Sequence, residues 1–177
     1  MNFNGLLPEQ LIARSSRTKS CIIVGDAPCK HREYAEVRSA HPKAALMVLN
    51  DSGRGMELVP DYIATMHGSA GNFMGTPRMP LSRIPDSAVV ASYNCNGDEH
   101  ERVDHVFQAD PVWGTCALFG TLCALYFGYG SIKLVGCPLE GAYGGGTKLE
   151  WWKPWAPWFD GRVQAMSGNL IAILEAV

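Results

Sequence analysis

The chain has 177 residues, with fifteen Lys and Arg against seventeen Asp and Glu, for a formal net charge of −2. That length suits one domain with a core of its own. The near-neutral balance offers no basic footprint for a nucleic-acid duplex, and the first twenty residues hold no apolar run that would read as a signal peptide or a membrane span.

In chain order, residues 1–19 read as a polar lead-in with a short helix at 8–14. CIIVG (21–25) is a buried strand, β-branched and stopped by glycine. A helix at 33–40 must end before Pro42. AALMVL (44–49) is a second strand closed by Asn50-Asp51-Ser52-Gly53, and YIATM (62–66) a third. Residues 68–87, rich in Gly, Pro and Ser, are loop, and AVVASY (88–93) is a fourth strand. From Thr115 a nearly uncharged helix runs about three turns to Gly128. Its small residues Ala117, Gly120, Thr121 and Ala124 are spaced to let one face lie close to a sheet. The strand SIKLVG follows, then a Gly/Trp/Pro-rich segment (141–160) and a last helix at 168–176. Short apolar strands alternating with helices or loops predict a single three-layer α/β domain of Rossmann-like type with a mostly parallel sheet.

Six cysteines are present, none in CxxC spacing. A structural zinc site is therefore disfavoured, and without an export signal the thiols read as reduced in a cytoplasmic protein. Cys21 and Cys123 fall in apolar runs, as small core residues do.

In such sheets ligands bind at the carboxyl ends of the strands, and several sequence positions fall there. VGDAPC (24–29) closes the first strand. Its glycine permits a sharp turn whose amides can hold an anion, or Asp26 simply caps the turn. Asn50 ends the second strand and offers a donor and an acceptor to a base or ribose, or plain turn chemistry. His67 ends the third strand, as acid or base or as a satisfied loop residue. His100 and His105 sit in a charged run and suggest a solvated surface, so no metal is expected. Thr115 is a natural N-cap: the helix start it opens can hold an anion, or the capping role alone accounts for it. The segment 141–162 holds four of the five tryptophans. It reads either as a lid bearing Tyr143 and Lys148 or as a subunit interface.

Taken together, GDAPC after a strand, Asn50 after the next, Pro60-Asp61 before a third, and Gly-Thr-Cys-Ala opening an apolar helix that ends in FGYGSIKLVGCPL resemble a known pattern. It is similar to the Rossmann-like superfamily of bacterial CMP-sialic-acid sialyltransferases and 6-hydroxymethylpterin diphosphokinase-like proteins. The MSGNL helix start (166–170) also looks like that of short phage- and prophage-encoded proteins. The resemblance covers roughly residues 20–140. It implies that Gly25, Asp26, Pro28 and Cys29 line a nucleotide site, that Asn50 contacts the nucleotide, and that Thr115 and Cys116 meet its sugar or phosphate. Ala27 and Cys29 replace the usual second glycine and serine, Cys137-Pro138 replaces an acidic residue, and no histidine follows His105.

The function expected is a metal-independent, glycosyltransferase-like transferase using a nucleotide or nucleotide-sugar donor, with no further cofactor. His67 is the candidate acid/base, with Asp26 and Asp51 in reserve. The alternative is a non-catalytic phage or virion-associated protein that keeps the fold and uses its Trp-rich segment as an interface, to a second copy or a phage structural partner. Neither reading involves nucleic acid or membrane.

Overall fold

A computed structural model describes residues 1–53, 55–66, 72–73, 76–77, 86–93, 103–108, 115–141 and 146–176. The chain begins with helix α1 (Pro8–Arg14), strand β1 (Ser16–Val24), helix α2 (Lys30–Ala40) and strands β2 (Ala45–Leu49) and β3 (Tyr62–Thr65). Two-residue strands β4 (Asn72–Phe73) and β5 (Thr76–Pro77) pair antiparallel with each other. Then come β6 (Val89–Tyr93), β7 (His105–Phe107), α3 (Cys116–Tyr126), β8 (Tyr129–Val135), α4 (Ala156–Phe159), β9 (Val163–Ala165) and α5 (Asn169–Glu175), with a 3-10 helix at Gly146–Trp151.

Seven strands form one sheet in the order β7-β6-β3-β2-β1-β8-β9, and every pairing is parallel. Parallel strands buried on both faces need no alternation, which is why β1 ends in the continuous apolar run Cys21–Val24. All four residues are fully buried. One face carries Ile22, Val24, Leu46, Val48, Ile63 and Val90 against Val37 of α2. The other carries Cys21, Ile23, Met47, Leu49, Ile132 and Leu134 against α3 and the C-terminal elements. The result is an α/β Rossmann-like domain in three layers.

Helix α3 is buried from Ala117 to Leu125. Its small face lies on the sheet as its spacing predicts. A methyl group on Gly120 would stand 2.6 Å from Leu49 Cδ2.

Three expectations need correction. The N-terminal lead-in is not merely polar: Phe3 and Leu11 are buried, and Phe3 stacks on Phe107 with ring centroids 5.0 Å apart. Residues 16–19 belong to β1, and α2 begins at Lys30 rather than at residue 33. The Trp-rich segment is also more than a loop. Trp152, Trp155, Ala156 and Phe159 enter the core, placed there by their i, i+3, i+4 and i+7 spacing, whereas Trp151 and Trp158 remain 39% and 41% exposed. The edge strands β7 and β9 were not foreseen, because three-residue strands with exposed positions carry no apolar run.

Candidate functional site

Among the described residues the strand order reverses beside β1. The chain builds outward from β1 through β2, β3, β6 and β7, then α3 returns it to β8 on the other side. The carboxyl ends of β1 and β8 therefore flank the topological switch point, where open α/β sheets bind ligands.

The two turns there touch through backbone. The amide of Gly25 donates to Val135 O (2.7 Å) and that of Ala27 to Gly136 O (3.1 Å). A Cβ on Gly25 would sit 2.4 Å from Gly136 O, so a side chain at this position would force the turns apart. From the third strand end, the turn before α5 presses just as closely, with Gly168 against the backbone of Pro138.

These turns enclose an open cavity of about 600 Å³. Ala27, Pro28 and Cys29 form one wall, Pro138, Glu140 and Gly141 the opposite one, and Ser167 contributes from the β9–α5 turn. Next to Pro138, Leu139 holds a left-handed conformation at φ 50°, costly for a branched side chain, while buried at 3% exposure.

Charge is concentrated beneath the first wall. Lys30 is 6% exposed, with Nζ 2.8 Å from Asp26 Oδ1 and donating to Ser52 O at 2.8 Å. Glu33 is 2% exposed, and its Oε2 accepts the Gly136 amide at 2.8 Å. Its other oxygen, Oε1, is buried with no hydrogen-bond partner of good geometry among the described residues. The Cys29 thiol lies 3.8 Å from Ser167 Oγ. Burial pushes that thiol up; the Ser167 hydroxyl lowers it, and the Glu33 carboxylate raises it further.

A second cluster sits at the ends of β2 and β3, at the start of α3. Asn50, left-handed at φ 52°, donates from Nδ2 to Cys116 Sγ (3.1 Å) and accepts from Thr65 Oγ1 (2.8 Å). Thr115 N-caps α3: its Oγ1 accepts the Leu118 amide at 3.0 Å and the Trp152 indole N–H at 3.2 Å. The first turn of α3 carries no acidic residue.

The residues singled out in the sequence thus fall into two groups on one edge. Gly25, Asp26, Pro28 and Cys29 belong to the switch-point turn, with Asp26 exposed and tied to Lys30. Asn50, Thr115 and Cys116 meet at the α3 start. Asp51 is half-buried in the turn after β2, and Lys148 is exposed on the 3-10 helix. His67 and Tyr143 lie outside the described residues. Sequence reasoning missed Lys30, Glu33 and Ser167. The spacing of Lys30, Glu33 and Val37 (i, i+3, i+7) marks one buried helix face, but two charges on it read as solvated.

Among the described residues no helix is long and apolar enough to cross a membrane, and Cys21, Cys29, Cys116, Cys123 and Cys137 are free thiols. Comparison with family models, curated proteins and solved structures gives no match, so the reading of this edge rests on its own geometry.

Proposed function

We propose that this chain is a metal-independent, glycosyltransferase-like transferase that binds a nucleotide-activated donor across the carboxyl edge of its sheet. The observation that carries the reading is the switch point between β1 and β8 with an open cavity built on it. The α3 start favours the donor's phosphates, since its dipole is unopposed by acidic residues and hydroxyl and amide groups of Thr65, Thr115 and Asn50 gather there. The carboxylates of Asp26 and Glu33 disfavour an anion beside α2. Transfer would rest on positioning and charge stabilisation at the leaving phosphate. His67 remains the candidate base, with Asp51 next and Asp26 last because Lys30 already engages it.

The test is a thermal-shift panel of nucleotides and nucleotide sugars, followed by donor turnover. CMP or UMP derivatives should stabilise most, by about 2.7 kcal/mol at a hundred times the dissociation constant. Asn50→Ala should weaken binding. His67→Ala should lower turnover roughly 10²–10⁴-fold with affinity nearly intact.

A flat panel would favour the second reading, a non-catalytic phage or virion-associated interaction protein. The exposure of Trp151 and Trp158 supports that alternative. Its contact would be confined to this outer pair, because Trp152 and Trp155 are spent on the core.

A further inference from the structure

We propose that Cys29 is a nucleophile for acyl transfer from small, uncharged esters or thioesters, with Glu33 as its base and the β1–β8 cavity as the substrate site. Three independent observations meet at this thiol. It lines a cavity of about 600 Å³ at the switch point of the sheet. One helical turn along α2 is Glu33, its amide donating to Cys29 O at 3.1 Å, its side chain 98% buried and its Oε1 without a hydrogen-bond partner of good geometry among the described residues. Beside the thiol, 3.8 Å away, lies the Ser167 hydroxyl. An orphaned buried carboxylate oxygen is costly to keep. One that can receive the proton of a neighbouring thiol has a reason to remain.

The chemistry balances without an added reagent. Cys29 Sγ attacks the carbonyl carbon of the bound ester as its proton passes to Glu33 Oε1. The C–O bond breaks, and the departing alcohol takes that proton, leaving an acyl thioester on Cys29. Water then attacks the thioester, the C–S bond breaks, the acid is released and the thiol regains a proton. Ser167 donates to the sulfur while it bears charge.

The surroundings select the substrate. Pro28, Pro138 and Ala27 give apolar walls, and Glu140 is the charged residue among the lining groups. Around the thiol–carboxylate pair are Cys137 and Glu140 from the β8 side and Ser167 from the β9–α5 turn, with the Asp26–Lys30 pair on the adjoining β1–α2 turn. Lys30 is engaged by Asp26 and Ser52 O, so the cavity presents net acidic character. Carboxylate- or phosphate-bearing acyl groups are disfavoured, and short neutral ones accepted. This site adjoins the proposed nucleotide site on the same switch-point edge, where the donor's phosphates would lie at the α3 start rather than beside Cys29.

The test uses the intact chain with p-nitrophenyl acetate, reading acetylation site by peptide mass mapping and rate against pH. Acetyl should appear on Cys29 at neutral pH faster than on glutathione. Glu33→Gln keeps an acceptor for the Gly136 amide while removing the base. It should slow acylation at pH 6–7 by roughly 10²–10⁴-fold. At pH 9–10 it should match or exceed the unmodified protein, because removing the carboxylate lets the thiol ionise more readily. A purely structural Glu33 would not produce that crossover. Iodoacetamide should be preferred over iodoacetate by a wider margin than with glutathione. Acetylation no faster than on glutathione, labelling of Cys116 in place of Cys29, or parallel pH profiles in the two proteins would overturn the proposal.

Discussion

Helices α2 and α3 both start at the carboxyl edge of the same sheet, a few strands apart, yet they are finished in opposite ways. The α2 start is loaded with charge: Asp26 and Lys30 pair across it, and Glu33 lies buried in its first turn. The α3 start is uncharged, closed by the Thr115 hydroxyl, the Trp152 indole and the Asn50–Thr65–Cys116 cluster. Shared geometry therefore does not mean shared chemistry. A helix dipole that meets an internal carboxylate is already answered, whereas one capped by a neutral hydroxyl still favours an anion.

The largest effect that can break this comparison comes from the indole under Thr115. Trp152→Ala removes a fully buried ring and the N–H that fixes the cap. Chemical denaturation should show a loss of about 3–5 kcal/mol. Trp158→Ala, on the exposed side, should stay within about 0.5 kcal/mol. Comparable small effects would mean that the Trp segment is not part of the core.

Next comes the opposite start. Gly25→Ala forces a methyl group against Gly136 O and Cys137 Sγ. Overpacking of this kind costs about 1–3 kcal/mol. A neutral result in urea unfolding would show that the two turns at the switch point separate easily.

A cap effect should be smaller. Thr115→Ala should cost about 1 kcal/mol, and Thr115→Ser should restore most of it. With phosphate or a nucleotide present, the same substitution should also reduce the thermal shift, while Asp26→Asn should not. Equal reductions at both starts would erase the electrostatic distinction.

The smallest effect lies at the other edge of the sheet and serves as a control. Asp160 is exposed, and its carboxyl is held below the ordinary range by hydrogen bonds from Arg162 first and Arg17 second. A depressed folded pKa gives stability that is present above the unfolded value and lost as pH falls through the folded one. Arg17→Ala should therefore move the Asp160 titration, followed by NMR, toward the ordinary carboxylate value, with ligand response unchanged.

Much of the architecture was legible because it depends on local runs. β1, β2, β3, β6 and β8 are short apolar stretches ended by glycine, asparagine or polar residues, and the small face of α3 predicts its closeness to the sheet. The turn at Gly25 was legible as a ligand-edge position for the same reason. What failed depended on distant partners. Glu33 and Lys30 look solvated until the Gly136 amide and the Ser52 carbonyl are brought to them. Ser167 sits in an ordinary-looking turn and gains meaning only through Cys29, 138 positions away. Trp152 and Trp155 were hidden by the Gly and Pro around them, which signal a loop while the helical spacing signals a face.

The pairing of β1 also governs how the chain can be made. Cys21 lies opposite Ala45 on one side but opposite Ile132 on the other. During synthesis, the first half of the sheet can associate while the central strand still has one edge bare. That edge stays unpaired until more than a hundred further residues have emerged from the ribosome. Closing so long a loop is slow, and an exposed parallel edge is prone to pair with other chains. Nascent chains halted before residue 129 should therefore engage chaperones, and release should coincide with the arrival of β8.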